Sequence, residues 1–216
     1  DRVIISESKD ARESLCNLAK GDWSEWFEAK FRGEKPLGGT FRFKLLELSP
    51  DGETFKLFRT QVMPTEGWTV PDELGRALID NCGPSIDDGG AEDYRKGRID
   101  LETCFELTEY VADWVSRAGA YIMKEHDWSL FMSQFHPTDI LQHIFYIGVD
   151  PYHPHYDPTT EQKYYTIFER LYGIADRMVG RLVEAAGEEC LIVALSDHGQ
   201  MPCRRFYHLN RAFVQA

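Results

Sequence analysis

Residues Ser129–His143 read SLFMSQFHPTDILQH, and how they are parsed decides the fold. The apolar run Leu130–Phe135 has the length and character of a strand, and Pro137-Thr138-Asp139 turns the chain into a helix. On that helix Asp139 and His143 stand four residues apart and share one face. A second run behaves alike: Cys190–Ser196 (CLIVALS) leads into Asp197-His198-Gly199, so a strand delivers an Asp and a His to its C-terminal edge. Open α/β sheets place ligands there. Carboxylate oxygen and imidazole nitrogen suit zinc, with manganese or iron as alternatives. Each pair also has a plainer reading: Asp-x-x-x-His is common on helix surfaces, whereas Asp-His-Gly behind a buried strand is rarer and relies on Gly199 for a sharp turn.

Working outward, residues 101–124 carry a helical stripe (Leu101, Cys104, Phe105, Thr108, Val111, Trp114, Val115, Ala118, Ile122) with Asp100 as N-cap. Thr159 or Thr160 opens a second long helix that runs to Ala186 and stops at Gly187. Its Gly173 and Gly180 are expected to allow close packing against a sheet. Helix, strand, helix, strand is the order of a layered α/β core with a mostly parallel sheet flanked by helices. The connection through residues 150–158 is punctuated by proline; His153 and His155, two apart across Pro154, share no face and are not taken as ligands.

Residues 1–98 read differently and form an expected α+β cap, inserted beside a metal-binding core at 99–216. Val3-Ile4-Ile5 is a short strand. Trp23, Trp26, Phe27 and Phe31 suit the interior of a small domain, with stacking on a base or sugar as the sharper alternative. Residues 38–62 alternate as a β-hairpin, with Phe41, Phe43 and Leu45 on one face and a turn at Ser49-Pro50-Asp51-Gly52. Arg42, Lys44, Lys56 and Arg59 fall on the other face, read as solvated or, if turned to the site, as a phosphate attractor. A short helix follows over residues 70–81. Residues 85–98 read as a loop or lid; Asp87-Asp88-Gly89-Gly90 lacks the ligand spacing of a calcium loop.

A chain of 216 residues with 43% hydrophobic content can bury a core. The formal charge of −12 argues against duplex nucleic acid and anionic membrane as partners. Five scattered cysteines without a C-x-x-C pair suit reduced thiols in a cytoplasmic protein, Cys104 and Cys190 as small core residues. No apolar run is long enough to span a bilayer. Asp1 at the start, and a last stretch that reads as a helix without a stop signal, suggest an internal portion of a longer protein.

The segments Asp127–Phe131 and Phe135–Phe145, with Ser196-Asp197-His198-Gly199 and Leu209-Asn210, resemble the alkaline phosphatase superfamily, and within it the type I phosphodiesterase/nucleotide pyrophosphatase branch. Gly21–Trp26 and Gly39–Leu45 are similar to a segment carried between nucleophile and first metal pair. The resemblance implies an alkaline-phosphatase-like core and two divalent metal ions, one held by Asp139 and His143, the other by Asp197 and His198. It implies cleavage of a small-molecule phosphate monoester or diester. The remaining ligands, and a Thr or Ser nucleophile, would lie outside this chain, the nucleophile upstream of Asp1. A sulfatase or phosphomutase of the same superfamily, or a non-catalytic binding module retaining the fold, are the alternatives.

Overall fold

The computed structural model describes residues 1–32, 37–87, 89–205 and 207–215. In chain order the strands are β1 (Val3–Ser6), β2 (Ser14–Leu18), β3 (Phe27–Phe31), β4 (Leu37–Phe41), β5 (Phe43–Leu48), β6 (Phe55–Arg59) and β7 (Met63–Pro64). The helices follow: α1 (Asp72–Cys82), α2 (Ala91–Arg95), α3 (Leu101–Glu125), α4 (Pro137–Phe145), α5 (Glu161–Ala186) and α6 (Leu209–Gln215). Strands and helices therefore segregate along the chain.

Three small antiparallel sheets result, ordered β1-β2, β3-β4-β7 and β5-β6. The expected hairpin forms between β5 and β6, with Leu45 opposite Leu57. Its turn is closed by the Gly52 N–H donating to the Ser49 carbonyl at 2.9 Å, with Gly52 at φ +73°, a conformation that favours glycine. Phe41 belongs to another sheet, because the chain breaks at Arg42 and β4 pairs with β3. The solvated basic face also needs correction. Lys44 is 5% exposed, and its ammonium donates to Thr103 Oγ1 at 3.1 Å and to Glu106. A buried lysine is tolerable here because a carboxylate and a hydroxyl receive it.

The hydrophobic core lies between α3 and α5. Cys104, Phe105 and Leu107 of α3 meet Ile167, Leu171, Ile174 and Met178 of α5, joined by Leu141 and Phe145 of α4 and by Leu46 and Phe58 of the hairpin. Of the α3 stripe read from sequence, Leu101, Cys104, Phe105 and Val115 pack here, while Trp114, Ala118 and Ile122 pack against α1 and the buried Leu107 and Ala112 lie outside that reading. Asp100 caps α3 as expected, its Oδ1 accepting from the Thr103 N–H at 2.7 Å. Gly119 permits the close approach: a Cβ there would stand 2.5 Å from Leu182 and 2.9 Å from Phe131. Gly173 and Gly180 do not serve this purpose, for a Cβ on Gly180 would meet nothing within 4 Å.

Among the described residues every strand pairing is antiparallel, so the layered, mostly parallel sheet is not found. Leu130–Phe135 and Leu191–Leu195, both expected as strands, are irregular. An apolar pattern states that a segment can be buried, but a strand also requires a neighbour for its N–H and C=O groups. The expected lid over residues 85–98 is likewise packed down. Ala91 joins the core, Ile86 packs against it and Tyr94 lies against Phe145; Asp88 is outside the described residues. Cys190 is half-buried rather than a core residue.

Candidate functional site

Helix α4 begins with the buried Pro137, whose fixed φ suits a first helical position. Thr138 Oγ1 donates to the Phe135 carbonyl at 3.0 Å and secures the entry. Leu141 and Phe145 anchor the helix in the core. That leaves Asp139 and His143 together on the outer face, His143 Nε2 3.4 Å from Asp139 Oδ1. His136, one turn earlier, reaches the other carboxylate oxygen at 3.5 Å.

The segment after α5 crosses this face. His198 Nε2 lies 4.0 Å from Asp139 Oδ1 and 3.6 Å from Asp197 Oδ2. The Gln200 amide donates to Asp139 Oδ1 at 2.7 Å and to the Asp139 carbonyl at 3.3 Å. Further along, Arg204 makes a bidentate pair with Asp150, at 2.6 and 2.9 Å, and stacks over Tyr152. The guanidinium holds the Asp150 carboxyl below the usual carboxylate range, against a smaller opposing effect of its burial. These two attachments bring Asp197 and His198 to α4. His198 Nδ1 is 3.3 Å from the Gly199 carbonyl; with the proton on Nδ1, that contact leaves Nε2 as the nitrogen able to bind an ion.

All four expected residues thus gather at one place, with Asp197 the most exposed. The sequence reading does not single out His136 or Gln200. His136 was findable, since His-x-x-Asp places it on the face of Asp139; Gln200 follows Asp-His-Gly directly but carries no signal of its own. The donor types fit a zinc ion. A tetrahedral ion with bonds of about 2.0–2.2 Å separates neighbouring donors by roughly 3.3–3.6 Å, the spacing of the Asp139–His143 pair. Among the described residues, however, no group of three or more His, Cys, Asp and Glu is arranged to hold an ion.

A family model, type I phosphodiesterase/nucleotide pyrophosphatase, matches residues 48–216, well over half of the chain. The chain belongs to this family. No curated protein and no solved structure matches it. The phosphodiesterase/pyrophosphatase match begins at the end of β5 and takes in α4 and the Asp197-His198 segment, so both halves of the cluster lie inside it. Membership suggests phosphoester hydrolysis, generally metal-dependent, on small-molecule phosphoesters. No helix among the described residues is long and apolar enough to cross a membrane.

Proposed function

We propose that this phosphodiesterase/pyrophosphatase-family protein hydrolyses a small phosphate monoester or diester at the outer face of α4. Asp139 and His143 on one side, and Asp197 and His198 on the other, would hold two divalent ions, zinc first, with manganese or iron also acceptable to these donors. The observation that carries the reading is the approach of His198 to Asp139, within 4.0 Å, by residues far apart in sequence. Bound divalent ions would supply positive charge to offset that of the transferring phosphoryl group.

The chain's own residues prepare the site. The Gln200 amide donates to Asp139 Oδ1, the oxygen that also faces His143 and His198, and a hydrogen bond to a ligating carboxylate orients it and tunes its basicity. Arg204 on Asp150 secures the segment that brings His198. Thr138 is not assigned as a nucleophile, because its hydroxyl closes the α4 entry; a Thr or Ser outside residues 1–216 would act. In this reading residues 1–98 form the cap that selects substrate, and 99–216 the hydrolytic core.

Zinc titration against a chromophoric chelator, with hydrolysis of bis-p-nitrophenyl phosphate by the whole protein, tests this. Asp139→Ala and His198→Ala should each weaken zinc binding by about 10–100-fold or more and abolish metal-stimulated hydrolysis. Wild-type zinc affinity and wild-type hydrolysis in both variants would overturn the proposal.

A further inference from the structure

Away from α4, a cleft of about 460 Å³ opens between α3 and α5 beside Trp23 and Arg42, a size that suits a small ligand. Its walls include Trp23, Tyr110, Ile174 and Met178, with Arg42 at one side. None of Asp139, His143, Asp197 and His198 lines it.

Arg42 is unusual in what surrounds it. Its guanidinium carbon stands 4.2 Å from the Trp23 ring centroid, 4.6 Å from Tyr110 and 4.9 Å from Trp26. The backbone cannot easily withdraw it. The Arg42 N–H donates to Thr60 Oγ1, and the Arg42 carbonyl accepts from the Thr60 N–H, both at 3.0 Å. Yet, among the described residues, the buried Nε has no hydrogen-bond partner. Burial lowers the Arg42 pKa, partly offset by Tyr110, Glu106 and Glu25 nearby.

The acids around the cleft are already engaged. Glu106 receives Lys44 and, at 2.8 Å, the Trp23 indole N–H. Glu109 lies 3.6 Å from Arg170 and 3.8 Å from Arg177, while Asp113 receives Arg181 and Arg117. Among the described residues Arg42 makes no ion pair with a carboxylate; it is a cation held between aromatic faces, with Glu106 and Glu25 acting on it from farther off. A guanidinium presents its donors in a planar fork matched to oxyanions, and stacking leaves the edge of that fork for them.

We infer that this cleft binds a small oxyanion with a flat apolar body, its carboxylate, phosphate or phosphonate on the Arg42 guanidinium and its body against Trp23, Ile174 and Met178. The inference goes beyond the reading of the Asp139 cluster and does not depend on it. Phenylphosphonate, which offers no ester to hydrolyse, is the probe, titrated into the whole protein and followed by NMR at the Trp23 indole N–H and the Arg42 Nε–H. Both resonances should move together to saturation, and inorganic phosphate should bind more weakly because it lacks the ring. Arg42→Met should weaken binding by about tenfold or more, the worth of a charge-assisted hydrogen bond, while Asp139→Asn leaves it unchanged.

The inference is overturned if the Arg42 Nε–H does not respond up to about 10 mM probe, the edge of weak binding. It is equally overturned if a folded Arg42→Met protein binds as wild type does, or if Asp139→Asn alone removes binding. Should Arg42→Met not fold, the wild-type Arg42 resonance still decides.

Discussion

Cys104 and Cys203 stand for two regions built on different terms. Around Cys104, α3 and α5 bury their stripes against each other, and Cys104 has no exposed surface. Around Cys203, the segment following α5 lies open: Leu191 is 86% exposed and Leu195 83%. Both regions are apolar in sequence. The difference is that a helix satisfies its own backbone hydrogen bonds and needs a partner for one face only, whereas an apolar run in extended form needs neighbours on its edges as well as its faces. The open segment is held instead by polar attachments, Gln200 on Asp139 and Arg204 on Asp150.

Thiol chemistry breaks or sharpens this contrast with the largest expected effect. Burial pushes the Cys104 thiol up to about 12, while Cys203 is exposed. The thiolate is the reactive form, and raising the thiol this far leaves Cys104 less than about a thousandth ionised at pH 8. Iodoacetamide labelling followed by peptide mass spectrometry should find Cys203, which is open to the reagent, modified at least about a hundredfold faster than the buried Cys104. Comparable rates would show that the α3–α5 core opens readily.

Next in size is the core itself. Leu171 is fully buried between α3 and α4. Leu171→Ala leaves a cavity that neighbours on fixed helices fill poorly, so urea unfolding should show a loss of about 2–5 kcal/mol. A loss under about 1 kcal/mol, that of an ordinary surface change, would place the core elsewhere.

What was legible in the sequence follows the same divide. Helix α3 and its Asp100 cap, helix α5 with its Gly187 stop, and the β5–β6 hairpin were readable because their signals are local: a period, a cap, a turn glycine. The spacing that joins Asp139 to His143 is local too. The arrival of His198 and Gln200 at α4 is not, since nothing in residues 190–200 encodes which surface they cross. The family resemblance implied that Asp197 and His198 belong with Asp139 and His143, and it said nothing of Gln200. Lys44 was misplaced for a related reason: its neighbour Glu106 lies on α3, and alternation along β5 cannot announce a carboxylate from another element.

The smallest effect is expected from the exposed run, where the reading of sequence and the structure part most sharply. Leu195 would occupy the interior if Cys190–Ser196 were a strand between layers, yet it stands in solvent. Leu195→Asp should therefore change unfolding free energy by no more than about 0.5 kcal/mol, as for other surface substitutions. Buried in a sheet, the same carboxylate would be desolvated without a partner, and the loss would exceed about 2 kcal/mol. A large loss would mean that CLIVAL packs as its pattern suggests; a null result would mean that Asp197 and His198 reach α4 on an open segment, held by Gln200 and Arg204. Hydrogen exchange separates the cases within one sample, because an unpaired run exchanges its amides far sooner than α3 does.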